Sequence, residues 1–242
     1  MTHEPNAFES RDEPPTMPPR PTAFWRAAAA FLLALGVGSS LGAADPRDTA
    51  PPPSPEFKRP ANALFADDFS DASFKAWRCD SARSTWNVHD GVLRAELPDA
   101  KQAHSFLFAG DSSWTDYAVD LDVCGMRGVD KGVAVRVRGK KGLGIDLRGA
   151  SYQDVLLYVN ELPVGSGKAS NTNGTWSHMR VEIRGQSVRV FVGKDVVVDR
   201  KLRFHAPAHG GIALAAYAGG VGQCTVYYDN VVVTPLEPGS GP

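Results

Sequence analysis

Apolar residues recur at every second position through most of the chain between Leu64 and Thr234. Residues 119–123 alternate apolar and acidic side chains, and residues 179–184 alternate apolar side chains with Arg and Glu. A period of two is typical of a β-strand, whose successive side chains point to opposite faces of a sheet. Because Gly, Asn and Asp separate the short strands, as in consecutive hairpins, this region predicts a sandwich or barrel of about a dozen strands.

The predicted body of the domain spans residues 62–236, which is enough chain to bury a core between two sheets without a metal or a disulfide. Residues 237–242 form a predicted flexible tail. Upstream of the body, residues 45–61 contain six prolines. Proline cannot donate a ladder hydrogen bond and favours an extended backbone, so this segment predicts a semi-rigid linker that holds the domain away from a surface or from its exit point.

The first 44 residues predict an N-terminal extension followed by a secretory signal peptide. Arg26 precedes the apolar run 27–38, and Gly42 and Ala44 provide a signal-peptidase site before Asp45. Met17 is an alternative start. The other reading is an uncleaved membrane anchor, but the run contains several Gly and Ser residues, whereas a span needs about 20 mostly apolar residues. The prediction is a secreted, periplasmic or extracellular protein with no other membrane contact.

The charge balance of the chain excludes broad electrostatic attraction to nucleic acid. The sequence has 26 basic and 27 acidic side chains and a formal net charge of −1. Such a chain has no general field that would draw it to phosphate or to an anionic membrane. A charged partner would have to be bound locally.

Three cysteines are an odd number for an exported chain, so at most one internal disulfide can form. Cys124 ends one predicted strand and Cys224 begins the last one. If those strands pair, the two cysteines could lie opposite each other and form a bridge. Three reduced cysteines remain the alternative, because sequence alone does not give the distance between the α-carbons.

An ordered set of segments gives the body its strongest likeness to known proteins. The segments are Phe65–Phe69, Trp86–Leu93, Trp114–Asp120, Gly132–Arg136, Trp176–Glu182, Gly210–Leu214 and Tyr228–Val233. In this order and spacing they resemble the concanavalin A-like lectin/glucanase superfamily. Within it, they are most similar to laminin-G-like domains and to the 3-keto-disaccharide hydrolase-like, family-16-like domain of bacterial secreted proteins. The resemblance implies an all-β, two-sheet antiparallel jelly-roll sandwich.

The same resemblance implies a structural calcium ion. Glucanases of this superfamily bind calcium with an aspartate of the closing strand and with backbone oxygens of the opening strand and of an early turn. The matching positions here are Asp229, Asp68 and Gly91. Carboxylate and carbonyl oxygens suit Ca²⁺, although a single carboxylate is a weak ligand set. The alternative is that Asp229 caps backbone amides or pairs with a basic residue. No other cofactor is predicted.

The patterns of known hydrolases are largely missing. No glutamate of the body has a second carboxylate two or four residues away in a strand, as glycoside hydrolysis would require. The nearest approach, Asp120 and Asp122, is interpreted as a solvated strand face. Zinc-protease, serine-hydrolase and phosphate-loop motifs are also absent from the sequence. At Val129–Gly132 and Gly144–Arg148 the chain departs from the 3-keto-disaccharide hydrolase pattern, so no catalytic residue is assigned.

Polar residues of three predicted strands are the candidate ligand site. They are Arg136, Arg138, Asp146, Arg148, Tyr158 and Asn160. If the three strands are neighbours, guanidinium, carboxylate and aromatic groups form one patch suited to a carbohydrate. A solvated sheet face is the alternative. The favoured hypothesis is therefore a secreted, non-catalytic carbohydrate-binding or adhesion module; the alternative is a glycoside-processing hydrolase of the 3-keto-disaccharide type that uses Asp146.

Overall fold

The computed structural model describes residues 51, 53–80, 85–98, 104–149, 151–159, 162–203, 206–219 and 222–237. Within these ranges every regular element is a β-strand. In chain order they are β1 (Phe65–Asp67), β2 (Arg78–Cys79), β3 (Thr85–His89), β4 (Val92–Leu97), β5 (His104–Ala109), β6 (Tyr117–Arg127), β7 (Asp130–Arg138), β8 (Lys141–Arg148), β9 (Asp154–Val159), β10 (Leu162–Lys168), β11 (Ser177–Arg184), β12 (Ser187–Val192), β13 (Asp195–Lys201), β14 (Gly211–Tyr217) and β15 (Cys224–Pro235).

These strands form two sheets. The first has the order β13-β12-β11-β6-β15-β4-β3, and β1 also pairs with β15. The second has the order β10-β9-β8-β7-β14-β5-β2. Neighbouring strands are antiparallel in both sheets. The predicted all-β, two-sheet antiparallel sandwich is therefore confirmed.

The core lies between the two sheets and is built by the alternation seen in the sequence. Leu121 of β6, Ile145 of β8 and Leu214 of β14 are all fully buried there. Tyr228 of β15 reaches across the core, and its hydroxyl accepts a hydrogen bond of 2.8 Å from the backbone N–H of Gly132 in β7. This contact fixes the first sheet against the strand of the second sheet that carries Asp130.

The outer face of the second sheet, which points away from the core, has three rows of side chains across its strands. We number them by register. Row one holds Phe108, Ala213, Ala134, Gly144 and Tyr158; row two holds Phe106, Ala215, Gly132, Asp146 and Leu156; row three holds His104, Tyr217, Asp130, Arg148 and Asp154. Small residues lie near the middle of rows one and two. Asp146 lies in row two, and row three contains the charged residues Asp130, Arg148 and Asp154.

The proposed disulfide between Cys124 and Cys224 is wrong. Cys124 pairs in register with Tyr227, three residues along β15 from Cys224. Cys224 belongs to the main core, whereas Cys124 packs in a separate cluster with Tyr227 and Val92. Cys124 and Cys224 are both free thiols, and burial raises the pKa of the Cys224 thiol to about 12.

The predicted signal peptide, residues 1–44, lies outside the described residues. In the part of the chain that is described, no helix has the length and hydropathy needed to cross a membrane.

Candidate functional site

Row three of the outer face brings three charged side chains together because their strands are neighbours. Asp130 of β7 pairs in register with Arg148 of β8, which pairs with Asp154 of β9. The Arg148 guanidinium donates from Nε to Asp154 Oδ1 at 2.7 Å and from Nη2 to Oδ2. It also lies over the ring of Tyr152, 4.2 Å from the ring centroid. The two hydrogen bonds to Asp154 hold the guanidinium plane in place.

Asp130 and Asp146 are carboxyl groups buried beside this pair. Their exposed fractions are 5% and 1%. Among the described residues, Asp130 Oδ1 and Asp146 Oδ2 have no hydrogen-bond partner. Burial raises the pKa of Asp130 to about 6, against the attraction of Arg148 and Lys131. Burial and the neighbouring Asp130 raise the pKa of Asp146 well above its ordinary value.

Lys131 lies next to these carboxyl groups but on the core side of β7. Its register partners Leu147 and Ala216 both belong to the core. Burial lowers the pKa of the Lys131 amine to about 8. No described residue accepts a hydrogen bond from its Nζ. The site therefore combines two buried acids with a buried amine behind them.

Gly132 gives β7 the backbone shape that the site requires. Its φ is +147°, in a region that side chains rarely adopt. A Cβ at this position would lie 2.2 Å from the backbone oxygen of Ile145. Gly132 is also the register partner of Asp146. Glycine at position 132 therefore allows β8 to approach β7 closely at Asp146.

The family profile described as the 3-keto-alpha-glucoside-1,2-lyase-like domain matches residues 62–234. The match covers nearly all of the sandwich. The chain belongs to this lyase-like family. A comparison with curated proteins finds no match.

Solved structures similar to this lyase-like domain confirm the concanavalin A-like jelly-roll fold. A lichenase, a β-1,3-1,4-glucanase from a mouse hindgut metagenome, has a TM-score of 0.57 at 13% identity, covering 71% of this chain and 99% of its own. The carbohydrate-binding module CBM66 of Bacillus subtilis has a TM-score of 0.54 at 15% identity, covering 66% of this chain and 95% of its own. At these identities the likeness concerns the fold alone.

The lyase-like domain brings together three of the residues that the sequence predicts as ligand-binding. Asp146, Arg148 and Tyr158 share the outer face of the second sheet, and burial raises the pKa of the Tyr158 hydroxyl, with a further increase from Asp146. Arg138 is exposed at the far end of β7, where its Nη1 lies 3.2 Å from Nε2 of His209. Asn160 lies outside the described residues.

The prediction that Arg136 binds ligand requires a correction, because its side chain is buried and its guanidinium is hydrogen-bonded to other groups of the protein. It occupies a bulge in β7 with φ +50° and is 1% exposed. Its guanidinium pairs with Asp116 at 2.8 Å, and its Nε donates to the backbone oxygen of Thr115 at 2.8 Å. A further donor reaches the backbone oxygen of Gly185. Arg136 therefore ties loops together at one end of the sandwich and does not belong to the ligand site.

Sequence reasoning missed Asp130, Asp154 and Tyr217 in row three. Asp154 was visible as the first polar residue of a predicted strand. Asp130 was part of a segment treated only as a departure from a family pattern. The signal that joins them is strand register, since each lies opposite Arg148 or Asp130 in a neighbouring strand.

The predicted calcium ligands lie near one another on the first sheet. β4 pairs with β15 as far as Tyr228, and β1 begins to pair at Val231, so Asp229 lies between the ends of the two strands. Burial, together with Asp122 and Asp68, raises the pKa of Asp229 to about 6. A cation would relieve this repulsion, and in that respect the residues fit. Among the described residues, however, no group of three or more His, Cys, Asp or Glu side chains is arranged to hold a metal.

Part of the predicted linker contacts this same region. The Ser54 hydroxyl donates to the Asp229 carboxylate, and the Asn230 side chain donates to the backbone oxygen of Pro55 at 2.8 Å. The second half of the proline-rich segment therefore lies against the domain, and does not hold it at a distance.

The interpretation of Asp120 and Asp122 as a solvated face is wrong for Asp122. It is only 3% exposed and accepts a hydrogen bond of 2.7 Å from Asn230. His178 lies between the two carboxylates, 2.8 Å from Asp122 and 3.4 Å from Asp120. Hydrogen bonds to both raise the pKa of His178 to about 9. At neutral pH this imidazole is a cation in an ion-pair network and does not act as a base.

Proposed function

We propose that the domain binds a carbohydrate on the outer face of the second sheet, at the site formed by Asp130, Asp146, Arg148, Asp154 and Tyr152. One observation carries the proposal. Asp130 and Asp146 are buried, and each has a carboxyl oxygen without a hydrogen-bond partner among the described residues. Such groups reduce stability, so their presence on this face calls for another reason. A ligand rich in hydroxyl donors supplies one.

The chemistry of the site suits a sugar. Carboxylates accept hydrogen bonds from sugar hydroxyls, and a guanidinium held by a second carboxylate donates to sugar oxygens from a fixed plane. Arg148 and Asp154 are partly exposed, and Tyr152 is 44% exposed. These three side chains are the surface that a sugar meets first. The ring of Tyr152 offers the apolar contact on which a pyranose stacks.

The comparisons support carbohydrate as the class of ligand. The family description names a glucoside, and the structural neighbours include a carbohydrate-binding module and a glucanase. The same fold can host either binding or catalysis, so the proposal of binding rests on the site itself.

Glycan-array screening followed by calorimetry tests this proposal. We expect Asp146→Asn and Arg148→Gln each to weaken binding of the best glycan by at least tenfold, because each removes a charged hydrogen-bonding group. Asp195→Asn, at an exposed acid that begins β13 in the first sheet, is the control and is expected to bind like the natural protein. Binding that is unaffected by both site substitutions would exclude this face as the ligand site.

A second candidate function is lyase activity on a 3-keto-glucoside, because the site holds a carboxyl group with a raised pKa. A raised pKa makes the ionised carboxylate a stronger base for removing a proton. In this reaction Asp146 removes the proton from C2, next to the ketone. The C1–O bond then breaks, a C1=C2 double bond forms, and the glycosidic oxygen leaves with a proton. Tyr158, whose pKa is raised, is protonated at neutral pH and is the nearby candidate donor.

Incubation of the purified chain with a 3-keto-disaccharide separates the two functions. Release of free sugar that is abolished in Asp146→Asn and retained in Asp195→Asn supports the lyase. Binding of the same disaccharide without turnover supports the binding module.

Two further features are proposed on the basis of the sequence. Residues 27–44 support export, which predicts a mature N-terminus at Asp45 in the periplasm or medium. The surroundings of Asp229 support a structural calcium ion held by that carboxylate with backbone oxygens near Asp68 and Gly91.

A further inference from the structure

A cavity of about 270 Å³ opens on the outer face of the second sheet, at the end away from Asp130. Its lining includes Arg78, Phe108, Ser112 and Val137. The other described residues that line it are glycines, alanines and one isoleucine. Among the described residues that line this cavity, Arg78 is the only charged one. The lining therefore carries a positive charge, whereas the ionisable groups buried at the other end of the face are carboxyls.

Arg78 provides the first positive charge at this cavity. It lies directly across from Phe108 in the pairing of β2 with β5, and its guanidinium carbon is 4.8 Å from the centroid of the Phe108 ring. The cation–π contact orients an exposed side chain. Among the described residues Arg78 has no carboxylate partner, so its N–H donors are available to a ligand.

Arg138 provides the second charge, and His209 fixes its position. The His209 Nδ1 lies 2.6 Å from the backbone oxygen of Ser112, which lines the cavity. Since a carbonyl oxygen only accepts, Nδ1 carries the proton and donates. In the neutral ring, Nε2 is then an acceptor for Arg138 Nη1 at 3.2 Å. One guanidinium, that of Arg78, therefore lines the cavity beside an aromatic ring, and a second, that of Arg138, is connected to the cavity through His209 and Ser112.

We propose that this cavity binds an anionic group on a sugar, a carboxylate or a sulfate, and that the ligand of the domain is an acidic oligosaccharide. The inference rests on the proposed function, because it assumes that the ligand is a carbohydrate. Guanidinium is the side-chain group best suited to carboxylate and sulfate oxygens, because its planar fork matches them. An apolar ring beside it gives the sugar an additional contact.

The separation of the two sites sets the length of the ligand. Phe108 and Asp146 lie on strands three spacings apart and in adjacent rows. With about 4.8 Å between strands and about 7 Å between rows, they are roughly 16 Å apart. A disaccharide is shorter than this distance. A ligand that contacts both sites at once has three or more sugar residues.

Calorimetric titration of the full chain with matched tetrasaccharides tests the proposal. The probes are a neutral, a uronate-containing and a sulfated tetrasaccharide of the same linkage. We expect one of the two acidic probes to bind at least tenfold more tightly than the neutral one, and its advantage to decrease as salt is added. Whichever acidic probe gains identifies carboxylate or sulfate as the group recognised.

Arg78→Gln and Arg138→Gln are expected to reduce the preference for the acidic probe by roughly fivefold each, with unchanged affinity for the neutral probe. Both side chains are exposed, so the variants are expected to melt like the natural protein. Phe108→Leu, which removes the ring that orients Arg78, is expected to have a smaller effect in the same direction. Lys194→Gln, which removes an exposed positive charge from the first sheet, is the control.

Equal binding of all three probes, or a preference that survives both arginine substitutions, would overturn this inference. If Asp146→Asn still weakens binding in that case, the carbohydrate site at Asp146 is supported and the anion site at the cavity is rejected. If instead Asp146→Asn has no effect while the arginine variants lose the acidic probe, the second site stands and the first proposal fails.

Discussion

Replacing Asp130 with asparagine is expected to stabilise the folded domain at neutral pH. The pKa of this buried carboxyl is about 6, compared with an ordinary value of 3.8. Ionising Asp130 is therefore harder in the folded state than in the unfolded state. The stability that the group contributes is fully present below about pH 4 and is lost as pH rises through 6.

The size of this effect follows from the pKa difference. Roughly two pKa units correspond to about 3 kcal/mol at pH 7, and to about half of that at pH 5. Asparagine keeps the shape of the side chain and removes the ionisation. For a domain of this size, about 3 kcal/mol corresponds to an increase in melting temperature of about 6 to 12 °C.

Thermal and urea unfolding at pH 5 and pH 7 measure the prediction. The advantage of Asp130→Asn over the natural protein should grow with pH between these two values. Asp195→Asn, which removes the same charge from an exposed position at the start of β13, should show no such growth. A variant that is less stable at pH 7, or whose advantage is the same at both pH values, would refute the argument that uncompensated burial dominates at Asp130.

Further predictions concern other sites. Arg136→Ala is expected to destabilise the domain by about 3 to 5 kcal/mol in urea unfolding, because it leaves polar groups at Asp116, Gly185 and Pro207 without their guanidinium partner, while glycan affinity of the folded fraction stays unchanged. His178→Gln should lower stability by about 1 kcal/mol at pH 6, after allowance for solvent screening, and by less as pH rises through 9; an equal loss at pH 10 would contradict the ion-pair argument. Gly132→Ala should weaken glycan binding and lower the melting temperature, since its Cβ would collide with the backbone of Ile145. Chelation should lower the melting temperature if calcium is bound, and Asp229→Asn should remove that response; no change on chelation would reject the calcium site.

The sequence by itself determined the fold class. The alternation of apolar and polar residues specifies strands with one buried face, and the Gly, Asn and Asp punctuation places the turns, because both are local properties of the chain. The polar residues Asp146, Arg148 and Tyr158 were also visible, since they lie on the outward phase of neighbouring strands.

The tertiary structure decided which of these residues form a site. A bulge in β7 gives Arg136 a positive φ and turns its side chain into the loops, and no local pattern distinguishes it from Arg138. Register between strands places Asp130 beside Arg148 and separates Cys124 from Cys224. Burial, pairing and pKa depend on neighbours that are distant in sequence, so the partners of a charged side chain are known only once the sheets are assembled.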